Sequence, residues 1–216
     1  MTGQTASHAA LMNETYRYQR YFYDATRRFY LLGRDQLIAD LNPAPNARVL
    51  EIACGTGRNL ARINRVYPGR ALYGLDISEE MLRSARAKLD GHANLQAGDA
   101  CHFDAQALFG PRSFDRIVMS YCLSMIPDWQ GAVRNGLRHL KPGGSLHIVD
   151  FGDQSGLPST FERGLTAWLG KFHVTIRRDL VPLVSERAAR TGDEVDSRAL
   201  FRGYAQQVTV RRPTRN

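Results

Sequence analysis

The sequence contains few of the residues that build disulfide frameworks, zinc sites or membrane spans. Cys54, Cys101 and Cys122 are its only cysteines in 216 residues, too few and too scattered for either kind of cross-link. No apolar run approaches the ~18 residues that a membrane-spanning helix needs, and residues 1–10 lack the charged and apolar regions of a signal peptide. These absences predict a cytoplasmic protein with reduced, mostly buried thiols and no metal site.

The sequence has fewer acidic than basic residues. The chain has 29 Lys and Arg against 21 Asp and Glu, a formal net charge of +8, which favours an anionic partner. That partner could be nucleic acid, an acidic metabolite or a membrane surface. Residues 171–216 hold ten basic and five acidic residues, so +5 of the +8 lies in the last fifth of the chain. The simpler alternative is that these basic residues form a solvated surface without a specific anionic partner.

Several catalytic motifs are missing from the sequence. It has no Gly-x-Ser-x-Gly elbow, no phosphate-binding Gly-x-x-x-x-Gly-Lys-Ser/Thr loop and no His-Glu-x-x-His pair. His147 lies in a predicted strand and is interpreted as a core or edge residue rather than a base. His173 is predicted on the surface, with the mouth of an acceptor site as the alternative. Nucleic-acid binding is disfavoured because no stacking platform of clustered aromatics or appended binding module is evident.

The most informative stretch is residues 49–59, Val-Leu-Glu-Ile-Ala-Cys-Gly-Thr-Gly-Arg-Asn. Its apolar start is typical of a buried parallel strand, and Gly55 and Gly57 separate this strand from a predicted helix. Glycine has no Cβ and a helix N-terminus offers free N–H groups, so a nucleotide-like ligand can approach the backbone. A dinucleotide fingerprint would need a further glycine where this chain has Leu60, which disfavours NAD.

The remaining pattern predicts a doubly wound α/β fold. Strands are predicted over 49–52, 71–75, 93–97, 115–120 and 145–151, and helices over 60–63, 78–89 and 129–140. Such alternation favours a parallel sheet covered on both faces. Helices over 161–172 and 179–191 follow, then strand-like runs over 195–202 and 204–211. These runs are predicted to pair antiparallel at the sheet edge, giving a mostly parallel, seven-stranded, Rossmann-like sheet with an antiparallel last strand.

Acidic residues follow two of these strands. Asp76 lies 76 − 57 = 19 residues beyond Gly57, close to the ~20 expected for a carboxylate that binds a ribose. Asp99 follows the next strand, within Gly98-Asp99-Ala100. Ligands of open α/β sheets bind at this carboxyl end of the strands. The simpler alternatives are that Asp76 caps a helix and that Asp99 shapes a turn.

Five motifs in this order resemble those of class I S-adenosylmethionine methyltransferases: residues 51–57, 75–76, 98–100, 120–121 and Lys-Pro-Gly-Gly at 141–144. The family's usual glycine is replaced by Ala53, which tightens the turn. The resemblance implies that the glycine loop holds the methionine part of the donor, Asp76 the ribose hydroxyls and Asp99 the adenine amine, with the Ala100 N–H on the ring. The implied donor-binding residues are Glu51, Ala53, Cys54, Gly55, Thr56, Gly57, Asn59, Asp76, Ile77, Met81, Gly98, Asp99, Ala100, Ser120 and Tyr121, together with Tyr23 and Arg34.

An amphipathic helix is predicted over residues 13–32, ending at Gly33, with a second helix over 34–41. At 100° per residue, Tyr16, Arg20, Tyr23, Arg27 and Tyr30 form one stripe. The aromatic faces of Tyr16, Tyr23 and Tyr121 are candidates for positioning a methylated amine through cation–π contact. Arg27 or Arg34 is a candidate for binding a carboxylate, either that of the acceptor or that of S-adenosylmethionine. A solvated helix face is the alternative interpretation of this stripe.

The segments 16–27, 31–34, 123–129 and 168–174 are similar to those of bacterial betaine-lipid N-methyltransferases, which trimethylate diacylglycerylhomoserine. The resemblance implies a lipid acceptor, conversion of the donor to S-adenosylhomocysteine, and peripheral association with the anionic inner face of the cell membrane. A phosphatidylethanolamine N-methyltransferase, a methyltransferase of a soluble small molecule and a donor-binding fold without transfer activity are the alternatives. We expect a single domain, with a lid or membrane-contact segment over 1–40, a donor-binding core over 41–151 and acceptor-side elements over 152–216.

Overall fold

A computed structural model describes residues 30–172 and 174–214. The predicted N-terminal helix and its Tyr/Arg stripe lie outside the described residues, apart from the segment 30–32. His173 also lies outside them. Within the described part of the chain, none of the helices combines the length and the apolar content that crossing a bilayer requires.

Seven strands form one sheet, as predicted. They are β1 Arg48–Ile52, β2 Ala71–Asp76, β3 Asn94–Ala97, β4 Phe114–Ser120, β5 Leu140–Phe151, β6 Glu194–Leu200 and β7 Ala205–Arg211. Their order across the sheet is β3-β2-β1-β4-β5-β7-β6. The first five strands are parallel, and β7 runs antiparallel to both β5 and β6. The fold class is therefore the Rossmann-like, mostly parallel sheet expected from the sequence.

The described residues form seven helices around this sheet: α1 Arg34–Asp40, α2 Arg58–Val66, α3 Glu79–Leu89, α4 Ala105–Phe109, α5 Trp129–Arg138, α6 Ser159–Gly170 and α7 Leu180–Thr191. The short helix α4 was not predicted, although Asp104 caps it by accepting from the N–H groups of Gln106 and Ala107. Strand β5 begins at Leu140 rather than Ser145, because Leu140 pairs with Phe114 ahead of a register shift. The other boundaries differ from the prediction by a few residues at most.

The core lies in two layers, one on each face of the sheet. Successive strand residues point to opposite faces, so Leu50 and Ile52 pack with α4, α5 and α7, whereas Val49 packs with α1, α2 and α3. All three side chains are fully buried. This two-sided burial explains why apolar residues occupy neighbouring positions of β1 rather than alternating ones, with Glu51 as a buried exception.

Gly74 allows α2 to pack closely on the sheet. A Cβ at Gly74 would lie 2.9 Å from Leu60 Cδ1, 2.9 Å from Cys54 Sγ and 2.6 Å from Leu95 Cδ2. In the dinucleotide fingerprint a glycine on the helix provides this close approach. Here the glycine lies on the neighbouring strand, so the helix position can hold the large side chain of Leu60.

Candidate functional site

Four predicted site segments meet at one edge of the sheet. Strands β3, β2, β1 and β4 are adjacent and parallel, so their carboxyl ends lie side by side. The segments 98–100, 76–78, 53–57 and 120–121 follow these strands in that order across the sheet. We refer to them together as the donor loops, since this edge is where open α/β sheets bind ligands.

The loop after β1 requires left-handed backbone at three positions. Ala53, Gly55 and Gly57 have φ values of 57°, 55° and 71°. A Cβ at Gly57 would also lie 2.9 Å from Leu89 Cδ1 and 3.1 Å from Ala85 Cβ, so glycine is needed there for space as well. At Ala53 the methyl group costs roughly 1–2 kcal/mol relative to right-handed backbone. The replacement of the family's glycine therefore strains this turn without preventing it.

Asp76 connects the donor loops that follow β1 and β2. Its Oδ2 accepts a 2.7 Å hydrogen bond from the Gly55 N–H, and its Oδ1 accepts one of 2.9 Å from the Ser78 N–H. The side chain that caps α3 is Ser78, whose Oγ accepts from the Met81 N–H at 3.4 Å. A carboxylate has about four acceptor positions, so holding the loops and binding a hydroxylated ligand are compatible.

Glu51 is a buried carboxyl group with one satisfied oxygen. Oε1 accepts a 2.7 Å hydrogen bond from Asn59 Nδ2, whereas Oε2 is buried and has no partner among the described residues. Burial raises the pKa of Glu51 to about 8, and the nearby Asp76 charge adds to the shift. A ligand ammonium group would satisfy this oxygen and favour its ionised form. The α-amino group of S-adenosylmethionine has that chemistry, so the residues present fit this donor.

Asp99 shapes the loop after β3. Its Oδ1 accepts from the Cys101 N–H at 2.9 Å, and its Oδ2 lies 3.2 Å from His102 Nδ1. Partial burial acts to raise its pKa, but the hydrogen bonds from Cys101 and His102 outweigh burial and hold the pKa below its usual value. The carboxylate thus stays ionised at neutral pH. The turn that Asp99 forms agrees with the simpler interpretation and leaves its donor-binding role as a proposal.

Most other predicted donor residues occupy the same edge. Gly98 donates to the Asp76 carbonyl at 2.9 Å, and the buried Ala100 carbonyl accepts from Asn135 Nδ2 at 3.2 Å. Ser120 ends β4 with a buried Oγ that lacks a partner among the described residues. Cys54 and Met81 are buried, and Thr56 and Ile77 are half-buried.

Tyr23 and Arg34 are the remaining predicted donor residues. Tyr23 lies outside the described residues. Arg34 is buried at the start of α1, where its Nε donates to the Leu31 carbonyl at 3.2 Å. This arginine therefore supports the segment 30–33, which lies beside a second feature of the site.

An aromatic pocket adjoins the donor loops beyond the ends of β4 and β5. We use this name for the pocket lined by Tyr30, Leu31, Tyr121, Ser124, Met125, Phe151, Trp168, Leu169, Phe172 and Val174. The Trp168 ring meets Tyr30 edge-on at 4.9 Å and Phe172 at 5.1 Å. Segments 123–129 and 168–174, singled out from the sequence, both contribute to its lining.

Tyr121 belongs to both parts of the site. It follows β4 directly, has a φ of 53°, and its hydroxyl donates a 2.6 Å hydrogen bond to the Leu32 carbonyl. Its ring meets Phe151 edge-on at 4.9 Å. The residue is almost fully buried, so it forms the rigid wall between donor loops and pocket rather than an exposed surface.

Asp150 was missed by the sequence analysis. It is fully buried near the end of β5, where Oδ2 accepts from the Ser124 N–H at 3.1 Å and Oδ1 from the Phe151 N–H at 2.8 Å. Burial raises its pKa to about 6. Ser124 and Phe151, whose N–H groups donate to Asp150, both line the aromatic pocket. An acidic residue inside the apolar run of β5 was the available signal.

His147 is a core residue, as interpreted from the sequence. It is 3% exposed, and its Nε2 lies 2.8 Å from Ser145 Oγ. Burial, followed by the charges of Arg116 and Arg211, lowers its pKa to about 3. It lines a cavity at the other edge of the sheet, so it cannot act as a base at the donor loops.

The similarity of this chain to known proteins covers the segment that contains these loops. The methyltransferase domain family matches residues 49–144 of this chain. A demethylmenaquinone methyltransferase of Listeria monocytogenes is 35% identical over 125 residues, covering 57% of this chain and 52% of that protein. A ubiquinone/menaquinone biosynthesis C-methyltransferase of Cereibacter sphaeroides is 31% identical over 121 residues, covering 56% of this chain and 48% of that protein. The chain thus spans about half the length of these relatives.

A solved structure extends the likeness to most of the described fold. Haemonchus contortus phosphoethanolamine N-methyltransferase 2, in complex with S-adenosyl-L-methionine, superposes with a TM-score of 0.65 at 17% identity. The superposition covers 84% of this chain and 52% of that one. At this identity the likeness shows the fold alone, which is the Rossmann-like methyltransferase fold. The matched segment 49–144 contains all four donor loops, and S-adenosylmethionine is the methyl donor of such domains.

Proposed function

We propose that this chain, which carries a class I S-adenosylmethionine-dependent methyltransferase domain over residues 49–144, methylates the amine of a lipid headgroup. Diacylglycerylhomoserine, converted to its trimethyl betaine form, is the preferred acceptor. The observation that carries the proposal is the aromatic pocket beside the donor loops, which shares Tyr121 with them. The choice of this lipid rests on the sequence resemblance of segments 123–129 and 168–174, both of which line the pocket.

On the donor side, three carboxyl groups would hold S-adenosylmethionine. Glu51 would meet its ammonium group, Asp76 its ribose hydroxyls and Asp99 its adenine amine. When bound, the donor supplies a sulfonium methyl group that is already electrophilic. The chain therefore has to align an uncharged amine with that methyl group, and alignment alone gives effective molarities on the order of 10⁵ M or more.

On the acceptor side, the aromatic side chains of the pocket suit a nitrogen that becomes more alkylated at each transfer. They would have to move apart to admit it, because the free volume between them is only about 10 Å³. The final product is a fixed cation, and aromatic faces attract such cations by about 0.5–2 kcal/mol. Trp168 contacts both Tyr30 and Phe172 along one wall. The amine has to lose a proton to solvent before each transfer. The neutral amine is then the nucleophile, and no residue has to remove a proton in the methyl-transfer step itself.

A lipid could reach the pocket across an exposed aromatic rim, which we define as Phe161, Trp168 and Phe201. These side chains are 50%, 37% and 51% exposed, which is unusual for large apolar groups. Phe161 and Trp168 lie seven residues apart on one stripe of α6, and Trp168 also lines the pocket. Exposed Lys171 and Arg202 lie near the rim in sequence. Aromatic and basic side chains together favour an anionic membrane interface.

A second candidate is methylation of a quinone carbon, favoured by the names of the Listeria and Cereibacter relatives. Such a reaction requires a base that removes a proton from the acceptor. Asp150 has a raised pKa, but both its oxygens accept backbone hydrogen bonds and it is fully buried. An amine can lose its exchangeable N–H protons to solvent between transfers, so the amine acceptor does not require a buried base, which favours it.

Incubation with labelled S-adenosylmethionine tests the proposal. Diacylglycerylhomoserine, phosphatidylethanolamine, demethylmenaquinone and a soluble primary amine would be supplied separately in matched detergent, and the products identified by mass. We expect one, two and three methyl additions on the homoserine lipid. Labelling of the quinone or the soluble amine, with the lipids unchanged, would show that the acceptor assignment is wrong.

A further inference from the structure

A second cavity lies at the amino edge of the sheet, opposite the donor loops. It encloses about 470 Å³ and is walled by residues 40–42 after α1, by residues 143–147 of β5 and by residues 211–214 at the end of β7. The strands separate it from the donor loops and from the aromatic pocket. None of the described residues in its lining contributes to either of those features.

Three neighbouring strands place polar side chains on one face of this cavity. Ser145 of β5 pairs in register with Arg116 of β4 on one side and with Arg211 of β7 on the other. Residues paired in this way project to the same face of a sheet, as does His147 two positions further along. Two guanidinium groups therefore flank a serine and a histidine.

His147 is incompletely satisfied in this cluster. Its Nε2 is paired with Ser145 Oγ at 2.8 Å, but its buried Nδ1 has no partner among the described residues. Burial and the charges of Arg116 and Arg211 lower its pKa to about 3, so the ring is neutral. If Nε2 carries the ring proton and donates it to Ser145 Oγ, the Ser145 hydroxyl hydrogen is left to be donated to a ligand oxygen.

Arg116 and Arg211, which both line the cavity, differ in their hydrogen-bond partners. Arg116 donates to the backbone carbonyls of Leu41, Asp115 and Asn42 at 2.7–3.2 Å, which fixes its guanidinium without a carboxylate hydrogen bond. Arg211 makes no hydrogen bond or ion pair with any residue that the structure describes. It is exposed at the mouth of the cavity, so its five N–H donors can meet a ligand.

Among the described residues, the acidic ones in and around the cavity do not form ion pairs with Arg211. Arg212 is paired with Asp193 at 3.3 Å. Asp40 is bound by Arg198 and by Gln207 Nε2, the latter at 2.8 Å. Glu194 remains at the wall, in register with Arg211 but without an ion pair in the described residues.

We propose that this cavity binds a phosphate monoester. The forked guanidinium group of Arg211 matches two phosphate oxygens, and the Ser145 hydroxyl, oriented by His147, supplies a donor below it. The volume of the cavity exceeds that of a phosphate ion and leaves room for a small organic group. Glu194 can accept hydrogen bonds from the hydroxyls of such a group. Such a ligand could be a soluble metabolite or the phosphate of a lipid headgroup.

Calorimetric titration of the full chain with glycerol 3-phosphate tests the site. We expect saturable binding that Arg211→Gln weakens at least tenfold, about 1.4 kcal/mol, while Arg211→Lys retains part of it. The matched control is Arg138→Gln, which removes a charge from the last turn of α5 and from outside the cavity lining. His147→Gln should also weaken binding, and thermal unfolding of each variant reports whether it is folded.

A parallel titration with phosphatidic acid in phosphatidylcholine vesicles separates a lipid source of the phosphate from a soluble one. Binding in either arm that depends on Arg211 supports the site. The proposal is overturned if neither phosphate monoester binds, or if Arg138→Gln weakens binding as much as Arg211→Gln does. Methyl transfer is not part of the readout, so the outcome is independent of the proposed function.

Discussion

The backbone N–H of Gly55 donates a 2.7 Å hydrogen bond to Oδ2 of Asp76, joining the loops that follow β1 and β2. Gly55 has a φ of 55°, and a Cβ there would meet no atom within 4 Å. Glycine is therefore used at this position for its backbone conformation rather than for space. The bond orients the glycine loop relative to the carboxylate proposed to bind the donor ribose, so the two motifs form one unit.

Asp76→Asn should weaken S-adenosylmethionine binding by roughly 1.5–3 kcal/mol, the range for hydrogen bonds to a charged group. The substitution keeps the shape of the side chain but replaces one acceptor oxygen with a donor. Calorimetry measures the affinity, and thermal unfolding measures the cost to the fold. Asp90→Asn is the matched control, because Asp90 is exposed at the end of α3 and its φ of 45° suits asparagine. Equal affinities for parent and Asp76→Asn would remove Asp76 from the donor site.

Glu51 should make stability fall as pH rises. Its pKa is raised from 4.5 to about 8 in the native state, so between these values the folded protein binds a proton that the unfolded chain releases. Stability attributable to this group therefore decreases across that window, by up to about 1.4 kcal/mol per pH unit, and levels off above it. Glu51→Gln mimics the protonated form and removes this dependence.

The measurement is the difference in unfolding free energy between Glu51→Gln and the parent at a series of pH values from 5 to 8. Other titrating groups, including Asp150 with its pKa raised to about 6, contribute to both proteins and largely cancel. We expect the difference to move in favour of the variant as pH rises. Glu186→Gln, at an exposed position of α7, is the control and should give a nearly constant difference. A constant difference for Glu51→Gln would mean that Glu51 is ionised in the folded protein.

The donor loops could be predicted from the sequence because local signals define them. β1 is buried on both faces and so carries apolar residues at neighbouring positions, and the glycines of its loop are required by positive φ values. Ala53 occupies such a position without being glycine, and only its place in the motif indicated this. The serine cap of α3, Ser78, followed by Glu79 and Glu80 in the first turn, is a further local signal.

The aromatic pocket could not be assembled from the sequence, because its walls come from segments far apart in the chain. The Tyr121 hydroxyl bonds the Leu32 carbonyl across 89 positions, and Tyr204 bonds the Tyr30 carbonyl across 174. No local pattern encodes such contacts. The cluster at the amino edge was missed for the same reason, since β4, β5 and β7 bring its members together only in the folded sheet.

Trp168→Ala should impair use of the amine acceptor while leaving donor binding unchanged. Trp168 lines the aromatic pocket but not the donor loops. Loss of one aromatic face should lower kcat/KM for the acceptor by roughly threefold to thirtyfold, the equivalent of a cation–π contact. Steady-state kinetics and S-adenosylmethionine calorimetry provide the two readouts. Val66→Ala is the control, because Val66 is also an exposed apolar side chain but lies at the end of α2, outside the pocket lining and the rim. A similar loss of donor affinity in Trp168→Ala would contradict the separation of the two sites.

Membrane binding should depend on the basic residues beside the aromatic rim. Each basic residue near an anionic surface contributes about 1 kcal/mol, so Lys171→Gln combined with Arg202→Asn should weaken binding to anionic liposomes by about 2 kcal/mol. Asparagine suits the φ of 61° at Arg202. Co-sedimentation across a salt series is the measurement, and binding of the parent should fall steeply because such attraction is screened over about 8 Å at physiological ionic strength. The matched control is Arg65→Gln with Arg138→Gln, since both residues lie in the last turns of helices. If the two double variants bind alike, another surface meets the membrane.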